Sequence, residues 1–371
     1  MNDAAEFLAG GGVQVSAPGR VNLLGEHTDY NDGYVLPVAT PQRTHVQAAL
    51  SPDDRFHVYS SNLDEGADFD ADGALPDGYA RYVAGCVRVL RDHGIVVPPV
   101  ALKVHSDVPI GSGLSSSAAL EVAVLRALRS LLGLDLDDVQ IARYGQAAEV
   151  GYAGVQCGIM DQMAASLADT GHMLFLDTRT LERRVLSMPA GSALIVIDSG
   201  VARTLAASKY NERFAECREA ARLLGVPMLR DIDDVGALDM LPPTLRRRAR
   251  HVVTENARVL AAIATGVDGP AFGRLMNESH ASLRDDYEVS VPALDTLCDM
   301  LREEPGVYGA RLTGAGFGGA CVALCEQGRA AAIADIVTAR YNRDRLLQRA
   351  GVLLPAPLPG READLPQPLF D

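Results

Sequence analysis

Apolar and polar positions along the chain fall into two rhythms, short alternating runs and longer runs with helical spacing. "VQVSAPGRVNLLGEHTDYNDGYVLPVA" begins with alternation, breaks into a polar, glycine-punctuated loop and turns apolar again from Tyr34 to Ala39. That pattern predicts strand, loop, strand. "THVQAALSPDDRFHVYSSN" predicts a hairpin, two β-rich runs around Pro52-Asp53-Asp54. "GYARYVAGCVRVLRDHG" has helical spacing and stops at Gly94, and "VALKVHSDVP" alternates as a strand. After a Gly-Ser turn, Leu114 to Leu132 is a largely apolar helix closed by Gly133. A helix from Asp137 to Val150 follows, capped within "DLDD", and another starts near Ile159. "GHMLFLDTRTLERRVLSM" and "SALIVIDSG" read as strands. The second half carries helices over Leu205 to Leu224 and Pro243 to Thr265, then "GVYGARLTGAGFGGACVALCE", strand, glycine turn and strand. No fixed-period repeat is visible.

At 371 residues the chain exceeds what one hydrophobic core usually serves, so two domains are expected, 1–195 and 196–371, with the last stretch as an irregular tail. The net charge of -14 argues against nucleic-acid or anionic-membrane partners but not against a small anion held in a local site. The six cysteines, Cys86, Cys157, Cys217, Cys298, Cys321 and Cys325, show no metal-ligand spacing, and "CVALC" reads as a buried strand. "MNDAAEFLAGGG" lacks the basic and apolar regions of a secretion signal, and no apolar run of roughly 18 residues exists to span a membrane. A cytoplasmic location is the expectation.

Strand, glycine-rich loop, helix is an anion-binding arrangement, because the first N–H groups of a helix lack internal partners and the dipole adds positive charge. In "GSGLSSSAAL", Gly111 and Gly113 let the backbone turn and a phosphate approach it, and Ser115, Ser116 and Ser117 add hydroxyls. The stretch lacks the lysine of a Walker loop and the third glycine of a dinucleotide fingerprint. A serine-capped helix start is the plain alternative. "GRVNLLGEHTDYNDGY" gathers Arg20, Glu26, His27, Asp29, Tyr30, Asn31 and Asp32. Carboxylates there suit a polyhydroxylated ligand, although a solvated turn would use the same residues and His27 could be a structural hydrogen bonder. Glu149 ends one helix and Asp161 opens the next. With the Gly-Ser loop and an arginine they supply the parts that phosphoryl transfer needs.

Three segments, "GRVNLLGEHTDYNDGYVLP", "VPIGSGLSSSAALE" and "GARLTGAGFGGACVAL", resemble those of the GHMP small-molecule kinases, and among them the galactokinases; "CGIMDQ" and "SKYNER" resemble galactokinase segments too. The resemblance runs from about Val13 to about Tyr341. It implies an α+β, two-domain GHMP kinase fold, with a ribosomal S5-like N-terminal domain and a ferredoxin-like C-terminal one. It implies ATP and Mg²⁺, and a small sugar as substrate. Asp161 would be the general base toward the sugar C1 hydroxyl, with Arg20 beside it opposing charge on the transferring phosphoryl group. Glu26, His27, Thr28 and Asp29 would bind the sugar, with the backbone near Gly158 and the phenol of Tyr210. Gly111, Ser112, Gly113, Leu114, Ser115, Ser116 and Ser117 would wrap the ATP phosphates, Ser60 would lie near the nucleotide, and Ser117 and Glu149 would hold Mg²⁺. A monomer, or at most a weak dimer, is expected.

The chain departs from that pattern in three places. Asn31-Asp32-Gly33 replaces Asn-Gly-Gly, and Asp198-Ser199 replaces a commoner Asn-Ser. The proline-rich "AGVLLPAPLPGREADLPQPLFD" stands where a final strand is usual, which puts the completeness of the last sheet in question. A kinase for N-acetylgalactosamine or another galactose-like sugar is the nearest alternative, and Thr28 in "EHTDYN" favours galactose. A non-catalytic sensor on the same fold would lack the Ser-Ala pair present here as Ser117 and Ala118.

Overall fold

A computed structural model describes residues 12–201, 206–264, 267–343 and 348–355. The extremes of two expected helices, Leu205 and Thr265, and the tail beyond Pro355 lie outside the described residues. The chain forms two compact units that interleave in sequence. The first takes the residues up to Arg20, Ala39–Pro109 and Ser115–Thr170; the second takes Val21–Val38, Ile110–Leu114 and the residues from Gly171 onward.

The first unit is a five-stranded sheet with helices. Its strands are β1 (Val13–Asn22), β3 (Pro37–Leu50), β4 (Phe56–Ser60), β5 (Glu65–Phe69) and β6 (Val100–Ser106), in the order β1-β3-β6-β4-β5. The expected hairpin of β3 with β4 does not form, because β6 lies between them, antiparallel to β3 and parallel to β4. Alternation identifies which residues become strands, whereas neighbours are chosen by long-range burial that no local run encodes. β4 turns back into β5 instead, a strand whose mostly exposed residues gave no apolar signal.

The helices of this unit are α1 (Ala80–Asp92), α2 (Ser116–Leu132), α3 (Asp138–Ala148) and α4 (Met160–Leu167). Val83, Val87 and Leu90 of α1 share one face, and they join Val46, Val58, Leu102, Val124, Leu125 and Leu128 in a single core. Asp137 caps α3 through a capping box with Gln140. After Ala148 the helix widens into one π turn, Glu149–Ala153, a feature often found at functional positions.

In the second unit a four-stranded antiparallel sheet has the order β10-β11-β9-β12, from β9 (Ser192–Asp198), β10 (Val307–Leu312), β11 (Ala320–Glu326) and β12 (Gly351–Leu354). The final strand therefore exists, which corrects the doubt raised by the tail. It is short, it occupies the sheet edge against β9, and it ends before Pro355, where proline costs the ladder nothing. A smaller sheet joins β2 (Tyr34–Val35), β7 (His172–Asp177) and β8 (Arg183–Ser187). Helices α5 (Ala206–Leu224), α6 (Pro243–Ala262), α7 (Gly269–Asp285), α8 (Pro292–Glu303) and α9 (Ala330–Asn342) complete it. Ile195, Ile197, Leu294, Leu297, Ala323 and Val337 lie in its core. The backbones of α7 and β10 nearly touch: a methyl group added to Gly309 would stand 2.1 Å from the Gly273 carbonyl oxygen. Among the described residues no helix is long and apolar enough to cross a membrane.

Candidate active site

Asp161 stands in the first turn of α4 and Arg20 near the end of β1. The guanidinium grips the carboxylate in parallel, Nε to Oδ1 at 2.7 Å and Nη2 to Oδ2 at 2.5 Å. Such two-point pairing fixes orientation as well as charge. Arg20 is buried, while the Asp161 side chain keeps 30% of its surface open, enough for a reacting group to approach. Ser115 Oγ also donates to Asp161 Oδ2.

That last contact settles what opens α2. Ser115 is the N-cap, yet its backbone sits at φ 60° in the left-handed region and its side chain makes no capping bond. The serine-capped helix start is therefore not what forms. The first-turn N–H groups of α2 carry the positive end of the dipole without a side-chain cap, as an anion site requires. Gly111 (φ 77°) and Gly113 (φ 94°) take the left-handed turn before it, where Ser112 and Leu114 are buried.

Ser117 Oγ donates to Glu149 Oε1 at 3.0 Å, so the two expected metal ligands meet. Gln162 spans the cluster, its amide donating to Glu149 Oε2 at 2.7 Å and to Glu121 Oε2 at 3.0 Å. Burial, with the charge of Asp161 second, pushes the Glu149 carboxyl up to about 7. Burial also pushes Glu121 well above the carboxylate range, Glu149 adding to it. Among the described residues no group of three or more His, Cys, Asp and Glu could hold a metal. A hydroxyl and one carboxylate suit Mg²⁺, which takes few protein ligands and completes its shell with phosphate and water. Ser60 ends β4 buried, its hydroxyl accepting from Leu63 N at 3.4 Å, and Gly158 lies buried before the first turn of α4.

The expected sugar loop lies in the second unit. Glu26 is almost wholly buried and accepts from Asn22 Nδ2 at 2.5 Å, from Thr313 Oγ1 at 3.3 Å and from Gly314 N. Arg311, fully buried on β10, stands between Glu26 (3.5 Å) and Glu255 (3.7 Å). Burial raises Glu255, but Arg258 and Arg311 outweigh it and hold the carboxyl at about 2. His27 sits at φ 63° with both ring nitrogens partnered, Nδ1 to Tyr30 Oη at 2.9 Å and Nε2 to the Ala315 carbonyl at 3.2 Å. The Tyr210 ring lies 5.3 Å from both His27 and Tyr30. Thr28 turns inward, its hydroxyl between the Gly25 and Tyr34 carbonyls at 2.8 and 2.7 Å. That geometry makes Thr28 a brace of the loop. Asp29 is buried in the one-turn helix Asp29–Asn31, and Asp32 closes it at φ 58°, a conformation glycine takes freely and aspartate tolerates. The Asn-Asp-Gly departure is thereby accommodated.

Gln162 and Arg311 escaped the reading of the sequence. A polar residue beside Asp161 and a charge inside the apolar run of β10 were the available signals.

Three family models match the chain: the galactokinase galactose-binding signature over residues 6–50, the GHMP kinases N terminal domain over 81–169 and the GHMP kinases C terminal model over 260–343. A galactokinase of Roseiflexus sp. (strain RS-1) is 48% identical over 328 residues, 85% of this chain and 84% of its own. One from Chloroflexus aggregans is 45% identical over 324 residues, covering 84% and 83%. The crystal structure of Lactococcus lactis galactokinase complexed with galactose superposes with a TM-score of 0.85 at 35% identity, over 91% of this chain and 92% of that one. Identity of this depth across nearly the whole length places the chain in the galactokinase family of the GHMP kinases.

Proposed function

We propose that the chain transfers the γ-phosphoryl group of ATP to the C1 hydroxyl of α-D-galactose, giving galactose 1-phosphate and ADP. The observation that carries the reading is the Arg20–Asp161 pair with Ser115 at the opening of α2, a carboxylate, a fixed cation and a helix N-terminus in one cluster. Family membership supplies the substrate class, and the galactose-bound relative agrees with it.

In this reading Asp161 accepts the C1 hydroxyl proton as the oxygen attacks phosphorus. Arg20 holds Asp161 in place and opposes negative charge on the transferring group. Residues 111–117 and the N-terminal N–H groups of α2 receive the phosphates. Ser117 and Glu149 would hold Mg²⁺, which when bound offsets phosphate charge. Glu26, His27 and Asp29, with Tyr210 and the backbone at Gly158, orient the sugar, while Thr28 keeps their loop in shape. A monomeric, cytoplasmic enzyme without nucleic-acid or membrane partners belongs to the same reading.

The test is ATP- and Mg²⁺-dependent phosphorylation of a small sugar panel by the wild type and Asp161→Asn. Galactose turnover that collapses in the variant supports both substrate and base. Turnover of another sugar moves the substrate, and galactose binding without turnover by the wild type overturns the kinase reading.

A further inference from the structure

Beneath the sugar loop, four side chains form a continuous buried row. Cys217 Sγ lies 3.1 Å from Tyr287 Oη, which lies 2.7 Å from Tyr30 Oη, which lies 2.9 Å from His27 Nδ1. All four are at most 5% exposed. The row ends at His27 Nε2 and the Ala315 carbonyl, 3.2 Å apart, in the glycine turn between β10 and β11.

One group in this row has no choice of role. A peptide carbonyl can only accept, so Nε2 must carry the proton. The ring's two partners are a phenol and a carbonyl, neither of them an anion, and a buried imidazolium without an anionic partner would be strongly disfavoured. The imidazole is therefore neutral and Nδ1 accepts. Tyr30 must donate to it, which obliges Tyr30 to accept from Tyr287 and Tyr287 from the Cys217 thiol. Every hydrogen in the row follows from one carbonyl. Burial, with His251, Arg213 and Arg311 nearby, also lowers the His27 pKa well below its ordinary value.

We propose that the Ala315 carbonyl fixes the His27 proton on Nε2 while a one-directional relay of Cys217, Tyr287 and Tyr30 satisfies Nδ1, so that the ring is locked in one tautomer between the sugar loop and the glycine turn and the two tyrosines are positioning residues for sugar recognition. The part concerning galactose rests on the galactokinase reading. Glu26 and Asp29 on the same loop are carboxylates, which accept. The Nε2 proton already faces the Ala315 carbonyl, so the relay serves sugar recognition by holding the ring and its loop in place beside these carboxylates. A tautomer flip would set a bare Nε2 against the Ala315 carbonyl, two acceptors face to face.

The test reads the tautomer directly. The full chain is labelled with ¹⁵N-histidine, the His27 signals are assigned by their loss in His27→Gln, and the ring-nitrogen shifts are recorded at neutral pH. The expected result is a protonated Nε2 and a bare Nδ1. In Tyr30→Phe the buried Nδ1 loses its donor while the Ala315 carbonyl still holds the proton on Nε2, so the tautomer should persist and the galactose KM should rise about tenfold, as for one unsatisfied buried hydrogen bond, with kcat and the ATP KM little changed. Cys217→Ser keeps a donor and should retain both wild-type readings. A wild-type ring protonated on Nδ1, or on both nitrogens, overturns the relay. An unmoved galactose KM in a folded Tyr30→Phe or Tyr287→Phe variant overturns the positioning role. Should Tyr30→Phe fail to fold, the wild-type spectrum and Tyr287→Phe still decide. A chain that phosphorylates no galactose would fail the functional reading, while the tautomer would still decide the relay.

Discussion

Arg20 meets Asp161 edge to edge, two nitrogens on two oxygens at 2.7 and 2.5 Å, so the carboxylate has one orientation and a permanent cation behind it. Asp161→Asn keeps the shape and removes the proton acceptor. Its kcat should fall by about 10²- to 10⁴-fold, the usual worth of a positioned base, with the galactose KM little altered. Arg20→Lys keeps the charge but cannot make the parallel contact, so it should also lose turnover. Steady-state kinetics on galactose check both, and an Asp161→Asn enzyme with wild-type kcat removes Asp161 from the chemistry.

Gln162 holds Oε2 of Glu149 while Ser117 takes Oε1. Partners of this kind orient a metal-binding carboxylate, and losing one commonly costs about 10- to 100-fold in affinity. Gln162→Leu should raise the Mg²⁺ concentration giving half-maximal activity by that factor and weaken Mn²⁺ binding measured by electron paramagnetic resonance in the presence of ATP. Unchanged metal binding in a folded variant would separate Gln162 from the metal.

Much of this was legible because local chemistry forced it. The "DLDD" cap, the glycine stop at Gly94 and the alternation of β6 act within a few residues, and each element forms where expected. The β3–β4 hairpin was misread because partner choice is non-local. β12 was missed because an edge strand of four residues needs little pattern and tolerates a following proline. In the site, the carboxylates and the Gly-Ser turn could be read from residue type, but their roles came from the family resemblance. The contact of Ser115 with Asp161 depends on a left-handed φ at a serine, and the inward turn of Thr28 on two carbonyls of its own loop. No composition or spacing announces either.

The close passage of α7 over β10 gives a stability prediction free of the chemistry. At Gly309 a β-carbon would overlap the Gly273 carbonyl, and at Gly273 one would stand 2.2 Å from the Tyr308 oxygen. Both obstacles are backbone, so neither can move without shifting the helix from the sheet. Gly309→Ala should destabilise by about 1–3 kcal/mol or more, the range for overpacked cores, read as a lower midpoint in urea. A variant as stable as the wild type would mean that α7 can slide.

His251 supplies a pH dependence whose sign is determined. Burial, the largest influence, lowers its pKa from 6.5 to about 4, and its ring holds the Glu26 carbonyl and Ser282. Between those two values the unfolded chain binds the proton and the folded chain does not. The stability linked to a neutral His251 is therefore present above pH 6.5 and drains away as pH falls toward 4, by roughly 3 kcal/mol in all. Glu121 and Glu149, whose pKa values are raised, act in the opposite sense, so the wild type alone is a poor reporter. The clean quantity is the difference in unfolding free energy between wild type and His251→Asn, which does not titrate at this position. That difference should favour the wild type at neutral pH and shrink steadily across the acid window in urea titrations at a series of pH values. A difference that stays flat would mean the ring takes up its proton as readily in the fold as in the unfolded chain, and a ring held neutral against the Glu26 carbonyl would have to be abandoned.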